Sequence, residues 1–114
     1  MSRLALSALI SAAAGLGYRS VADLCGPSRG RALVRLRWAV AINAQDMGYS
    51  YAQIGRVMGG RDHSTIIYAC QRADYFMGRD AKFARLVIDV RRVAERMQSA
   101  EREAISRAAE GLAA

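Results

Sequence analysis

The residues with the most evident chemical potential lie together in the stretch GGRDHSTII, residues 59–67. Two glycines precede an arginine, an acid, a histidine and two hydroxyls, and an apolar run follows at once. A carboxylate that follows a glycine turn and stands a few residues before an apolar run is typical of a helix N-cap, so we predict that Asp62 starts a helix. Side chains and free backbone N–H groups at such a helix start can contact phosphates and base edges.

Each polar residue of this stretch has a possible role at a DNA surface. Asp62 can accept a hydrogen bond from cytosine, and His63 and Ser64 can meet base edges. Thr65 can bond a phosphate or offer its methyl group to thymine, and Arg61 would lie over the phosphate backbone. For each residue alone a structural interpretation stays open, because Asp62 could cap the helix and do nothing else.

The same residues do not favour an enzyme. His63, Asp62 and Ser64 resemble a triad only in composition, because a triad needs side chains that converge from separate elements. Cys25 and Cys70 form no CxxC pair, and a single histidine leaves no zinc cluster. We therefore predict no enzymatic activity, no catalytic residue, no metal, no cofactor and no small-molecule substrate, and we interpret both cysteines as buried free thiols.

A second basic feature precedes this stretch. Four arginines occur within nine residues, with no acid among them: Arg29, Arg31, Arg35 and Arg37. The first two belong to the segment GPSRGR, residues 26–31, which we call the basic loop, and the other two lie on the following helix. A basic loop beside a major-groove helix can insert an arginine into the adjacent minor groove. A solvated basic helix end is the alternative, but two independent features imply one partner, double-stranded DNA.

Length and charge agree with this partner. A chain of 114 residues suffices for one domain with one hydrophobic core, and its 53% apolar content disfavours disorder. The net charge is +7, which fits a nucleic acid or an anionic membrane surface. No apolar run approaches the length of a membrane span, and we predict no membrane partner.

Glycines, caps and apolar periodicity predict an all-α fold, a compact bundle of about six helices that contains a helix-turn-helix. The predicted helices cover approximately residues 2–14, 21–24, 31–47, 51–58, 62–76 and 80–97. The first could instead be a signal peptide, but its apolar residues fall at helical spacing, which favours a helix. Large apolar residues are scarce after Met97, so we assign residues 1–98 to the domain and residues 99–114 to a helix-prone, partly disordered tail.

The sequence resembles a known family. GGRDHST followed by IIYAC is similar to the signature of the C-terminal DNA-binding domain of the bacterial replication initiator DnaA. YAQIGRVM resembles the preceding helix of that domain, and SVADLCGPSRGRALVRLRWAVAI resembles its short helix, basic loop and long helix. The resemblance covers roughly residues 3–97.

The resemblance implies a helix-turn-helix that reads short, asymmetric, A/T-containing boxes in double-stranded DNA. It implies that Arg29 enters the minor groove and that Arg37 contacts bases or backbone nearby. The positions that match major-groove readers are Asp62, His63 and Ser64, and those that match phosphate-contacting or supporting residues are Arg61 and Thr65. Three departures imply an altered target preference: Trp38 replaces a polar residue, Ser64 replaces a threonine, and Arg29 is followed by glycine in a less basic loop.

No GxxxxGK[ST] motif occurs, so we expect no ATP-driven activity. The sequence is either an excised domain or a free-standing homologue of the binding domain, and the Met1 start and the helix-prone tail favour the free-standing homologue. We expect a small cytoplasmic, nucleoid-associated or phage-encoded regulator of replication or transcription that binds as a monomer. A transcriptional regulator that binds an unrelated operator as a dimer is one alternative. Another is a protein-interaction module that has lost DNA binding, which a solvent-exposed Trp38 would favour.

Overall fold

The structure, a computed structural model, describes residues 3–113 and contains six α-helices. In chain order they are α1 Leu6–Leu16, α2 Val21–Cys25, α3 Arg31–Asp46, α4 Tyr51–Val57, α5 His63–Met77 and α6 Ala81–Ala113. Residues 3–113 form no strand. The predicted all-α bundle of about six helices is therefore confirmed, and a helix-turn-helix is formed by α4, the turn after it and α5.

The first helix differs from its predicted bounds. The predicted start at Ser2 lies outside the described residues, and α1 begins at Leu6. It also continues through Gly15, and ends only at Leu16. The backbone N–H of Gly17 donates to Ala13, and Tyr18 then takes a left-handed conformation with φ 55°. Gly15 is tolerated inside the helix because a single glycine costs only about 1 kcal/mol there.

The hydrophobic core is built around α3, which packs against α1, α5 and α6. Each helix contributes the apolar side of its surface, as the periodicity predicts. The largest fully buried apolar side chains are Leu9, Leu24, Val40, Ile54, Met58, Ile66, Phe83 and Val90. Because Ile54, Met58 and Ile66 belong to the helix-turn-helix, that unit is anchored directly in the core.

Polar contacts fix α6 across α3 at two places. Near the start of α6, Arg35 and Asp80 form an ion pair at 2.6 Å. Further along, Arg91 pairs with Asp46 at 2.6 Å, and its Nε donates to the side-chain oxygen of Asn43 at 3.1 Å. These contacts set the position of the scaffold on which α5 rests.

The last helix continues beyond the core. Its apolar face is buried at Phe83, Val87, Val90 and Ala94, whereas Met97 is 42% exposed. Residues 99–112 are helical, and all their side chains are exposed. The division into residues 1–98 and 99–114, and the partial disorder of the latter, stay predictions. No helix within residues 3–113 is long and apolar enough to cross a membrane.

Candidate nucleic-acid interface

The turn between α4 and α5 depends on its two glycines. α4 begins at a capping box, in which the Ser50 and Gln53 side chains each accept a bond from the other's backbone N–H. After α4, Gly59 and Gly60 adopt φ values of +83° and +75°. Residues with a Cβ rarely adopt this left-handed region, so the glycine pair is what lets the chain turn.

Two glycines also permit close backbone approach. A Cβ on Gly59 would lie 2.0 Å from the carbonyl oxygen of Cys25, at the end of α2. A Cβ on Gly55 would lie 2.1 Å from the carbonyl oxygen of Arg61, whose own N–H donates to the Gly55 oxygen at 2.8 Å. The turn is therefore packed closely against both α4 and the end of α2. No local sequence signal indicated this role of Gly55.

The N-terminus of α5 presents to solvent the three predicted reader residues and Thr65. Asp62 caps the helix, as predicted, and accepts from the backbone N–H of Ser64 at 3.3 Å. The Nδ1 atom of His63 lies 3.1 Å from the Asp62 carboxylate, and these side chains are 64% and 67% exposed. Ser64 and Thr65 are exposed beside them, while Ile66 is buried below. The exposed polar side chains therefore lie on the first turn of α5, which the buried Ile66 side chain fixes to the core.

Arg61 points inward instead of over the helix start. One terminal nitrogen donates to the carbonyl of Met58 at 2.5 Å, and the other donates to the carbonyl of Gly26 at 2.6 Å. The residue is half-buried. Its guanidinium therefore joins the helix-turn-helix turn to the basic loop. This position fits the supporting role that the resemblance implies for Arg61, and the phosphate contact stays a prediction.

Arg37 is also turned inward, with only 7% of its surface exposed. Its guanidinium donates to four carbonyl oxygens around the end of α2: those of Leu24 at 2.7 Å, Ser28 at 2.6 Å, Asp23 at 3.0 Å and Gly26 at 3.1 Å. Burial lowers the pKa of this guanidinium, and the nearby positive charge of Arg61 lowers it further. The geometry therefore disagrees with the predicted base or backbone contact of Arg37, because its donors are already used inside the protein.

Arg35 lies on the side of α3 that faces α6. It pairs with Asp80, and its guanidinium lies 5.1 Å from the ring centre of Phe83. Its neighbour Trp38 is half-buried and stacks on Phe76 with ring centres 5.8 Å apart. Arg35 thus supports the α3–α6 contact, and the buried stacking of Trp38 removes the exposed tryptophan that would favour an interaction module.

The other two arginines of the run, those of the basic loop, face solvent, and Arg31 is also the first residue of α3. Arg29 and Arg31 are exposed, and within residues 3–113 neither guanidinium has a recorded ion pair or hydrogen bond. The loop follows α2, which begins at a capping box between Ser20 and Asp23. Of the four arginines in the run, Arg29 and Arg31 are therefore exposed, whereas Arg35 and Arg37 bond to other groups of the protein.

The remaining candidate chemistry is limited. Both cysteines are free thiols, as predicted; Cys70 is buried, while Cys25 is half-buried and donates to the carbonyl of Val57 at 3.4 Å. Burial raises the pKa of the Cys70 thiol to about 11. In the part of the chain that the structure describes, no three histidine, cysteine or acidic residues are grouped to hold a metal ion.

Together, a short helix, a glycine turn and a second helix with an exposed polar start define a helix-turn-helix protein, a class that binds DNA through its second helix. The family described as bacterial dnaA protein helix-turn-helix matches residues 16–73, about half of the chain. The chain belongs to this family, and the resemblance noted in the sequence is confirmed.

Two curated relatives are replication initiators. The chain is 36% identical over 72 residues to the chromosomal replication initiator protein DnaA of Pelobacter propionicus, a match that covers 62% of this chain and 16% of that protein. It is 32% identical over 72 residues to the protein of the same name from a Picosynechococcus species, with the same coverage. The matched region thus spans about one sixth of the length of these relatives.

Proposed function

We propose that the protein binds double-stranded DNA at short initiator-type boxes. In this proposal the N-terminus of α5 enters the major groove, where Asp62, His63 and Ser64 meet base edges. Thr65 contacts a phosphate or supports the base contacts. The basic loop reaches the adjacent minor groove and places Arg29 in it, with Arg31 at the flanking phosphates.

One observation carries this proposal: a hydrogen bond joins the basic loop to the turn that leads into the exposed N-terminus of α5. The basic loop and the turn that precedes α5 meet where the Arg61 guanidinium donates to the Gly26 carbonyl at 2.6 Å. Gly59, which has no Cβ, packs on the Cys25 carbonyl at the same place, so two contacts join the end of α2 and the basic loop to the turn. A protein that reads two adjacent grooves needs its two readers at a fixed separation, which this contact supports.

The arginines therefore divide into three roles. Arg29 and Arg31, which are exposed, are the ones we assign to DNA contact. Arg37 and Arg61 act as positioning residues, because their donors hold the carbonyls of the loop and the turn. Arg35 supports the packing of α6 on α3 through Asp80. This division replaces the prediction that all five contact DNA.

We propose that the protein acts on the cytoplasmic nucleoid by occupying its boxes, and so regulates replication initiation or transcription without an ATPase step. The boxes are asymmetric in this proposal, so one monomer occupies one box. A dimeric regulator would instead need a palindrome with half-sites about one helical turn, or a multiple of it, apart. The stoichiometry of the complex on a single box distinguishes the two.

Fluorescence anisotropy of the purified protein tests the proposal. The titrations use one duplex that carries an A/T-containing initiator-type box and one scrambled duplex, each at two salt concentrations. We expect a preference for the box that persists at the higher salt, since base contacts depend less on salt than phosphate contacts do. Arg29→Ala should weaken binding to the box, whereas Arg92→Ala, which removes an exposed arginine of α6, is the charge-matched control.

Equal binding to both duplexes, lost together as salt rises, would contradict sequence reading. A selection from random duplexes would then show whether another sequence is preferred. If Arg92→Ala weakened binding as much as Arg29→Ala, the basic loop would have no special role, and the binding would reflect net charge alone.

A further inference from the structure

A cleft of about 640 Å3 lies between the basic loop and α5. Its exposed rim carries Arg29 on the loop side and Thr65 and Tyr68 on the α5 side. Its deeper lining is largely apolar and includes the side chains of Val34, Trp38, Met58, Ile66 and Ala69. The cleft therefore separates the two features that the proposed function assigns to the two DNA grooves.

Two positive charges lie beside this cleft without a negative partner. Arg37 and Arg61 both line it, and their recorded hydrogen bonds go only to carbonyl oxygens. Within residues 3–113 no carboxylate forms an ion pair with either of them. Two neighbouring cations repel each other, and the partly buried setting strengthens that repulsion. An anion placed in the cleft would offset it.

Tyr68 completes the α5 side of the cleft. It lies one helical turn beyond Ser64 and three residues after Thr65, on the same face of α5. The side chain is 58% exposed, and in the described part of the chain its hydroxyl has no recorded hydrogen-bond partner. A phenol combines an apolar ring with a hydrogen-bond donor, which suits a surface that contacts both sugar carbons and phosphate oxygens.

We infer that the cleft holds the sugar–phosphate strand that runs between the major groove read by α5 and the minor groove entered by Arg29. The apolar lining faces the deoxyribose carbons, and the Tyr68 hydroxyl donates to a phosphate oxygen of that strand. Arg37 and Arg61 attract the same phosphates from below without contacting them. This inference rests on the proposed function, because one strand of a duplex must pass between any two adjacent grooves.

A cycle between a protein variant and a modified duplex tests this placement. Tyr68→Phe removes only the hydroxyl, and a methylphosphonate removes the charge of one phosphate at a time along the box. We expect Tyr68→Phe to weaken binding about tenfold on the box and on the scrambled duplex alike, since a phosphate contact carries no sequence information. One methylphosphonate should weaken binding of the wild type more than binding of the variant, because the variant already lacks the hydroxyl contact and loses only the attraction to Arg37 and Arg61.

Tyr75→Phe is the matched control, because Tyr75 lies on the same helix, is 46% exposed and does not line the cleft. Binding by Tyr68→Phe equal to the wild type would overturn the inference. The inference would also be overturned if the affinity lost through Tyr68→Phe and the affinity lost through a methylphosphonate were additive at every phosphate, because Tyr68 would then contact none of those phosphates. Either result, with box preference intact, leaves the proposed function standing; a wild type without box preference contradicts that function itself. Unchanged thermal unfolding of Tyr68→Phe shows that the fold is retained.

Discussion

Arg37 and Arg61 donate hydrogen bonds to the same carbonyl oxygen, that of Gly26, at 3.1 and 2.6 Å. One arginine comes from α3 and the other from the turn before α5, so three separate parts of the chain meet at one acceptor. This shared acceptor explains how a short glycine-containing loop keeps a fixed position beside α5. It also explains why these two basic residues, which adjoin the proposed DNA-binding surface, have few donors left for DNA.

The first prediction concerns the buried guanidinium. Arg37→Met should lower the free energy of unfolding by about 2–4 kcal/mol, because several buried or half-buried carbonyls lose a charged donor. Urea denaturation measures the change. Arg92→Met, at an exposed position of α6, is the control and should change stability by less than about 0.5 kcal/mol. Unchanged stability of Arg37→Met, with weaker binding to all duplexes, would show instead that Arg37 contacts DNA directly.

The second prediction separates backbone strain from steric clash at the turn. Gly60→Ala should cost about 1–2 kcal/mol, because it places a Cβ at a φ of +75° in open space. Gly59→Ala has similar strain and also a clash with the Cys25 carbonyl, so it should cost about 3 kcal/mol or more. Thermal and urea unfolding of the two variants give the comparison. Equal costs would mean that the turn and the end of α2 are not in close contact.

The glycines and caps could be predicted from sequence because their signals are local. Asp62 before an apolar run and two consecutive glycines specify a turn and a helix start wherever the domain packs. The inward orientation of Arg61 could not be predicted, because its acceptor, Gly26, lies 35 residues away in the chain. Residue type and spacing do not distinguish an arginine that faces solvent from one that meets a distant carbonyl.

The roles of Gly55 and Tyr68 also could not be predicted, because they depend on contacts that form only in the tertiary structure. Gly55 is required because the Arg61 carbonyl lies against it, a contact made only once the turn has folded. The sequence does indicate that Tyr68 lies on the same helix face as Ser64, since residues four apart share a face. Its significance depends on the cleft that the basic loop forms opposite it, and this cleft is a property of the tertiary structure.

The third prediction concerns acid stability. The hydrogen bond from Arg35, then that from the Phe83 backbone N–H, lowers the pKa of the Asp80 carboxyl from its ordinary value of 3.8. A carboxyl with a lowered pKa in the folded state stabilises the fold above pH 3.8, and this contribution is lost as the pH falls through the lowered value. Asp80→Asn should therefore reduce stability at neutral pH and weaken its decline on acidification.

Unfolding midpoints measured in urea from pH 7 down to pH 3 test this. Asp89→Asn is the control, because Asp89 pairs with Arg85 within one exposed face of α6. If Asp80→Asn showed the same decline on acidification as the wild type, the Arg35–Asp80 pair would not contribute to acid sensitivity.

The most direct test of sequence reading by α5 compares the wild type and His63→Ala on a full set of duplexes with single base-pair changes in the preferred box. His63 should account for discrimination at one position, so His63→Ala should lose about 1–3 kcal/mol on the preferred box and become insensitive to the base pair at that position alone. Discrimination at the other positions should remain as in the wild type. A uniform loss of affinity across all duplexes, with every position still discriminated, would contradict the central claim that the exposed start of α5 reads bases.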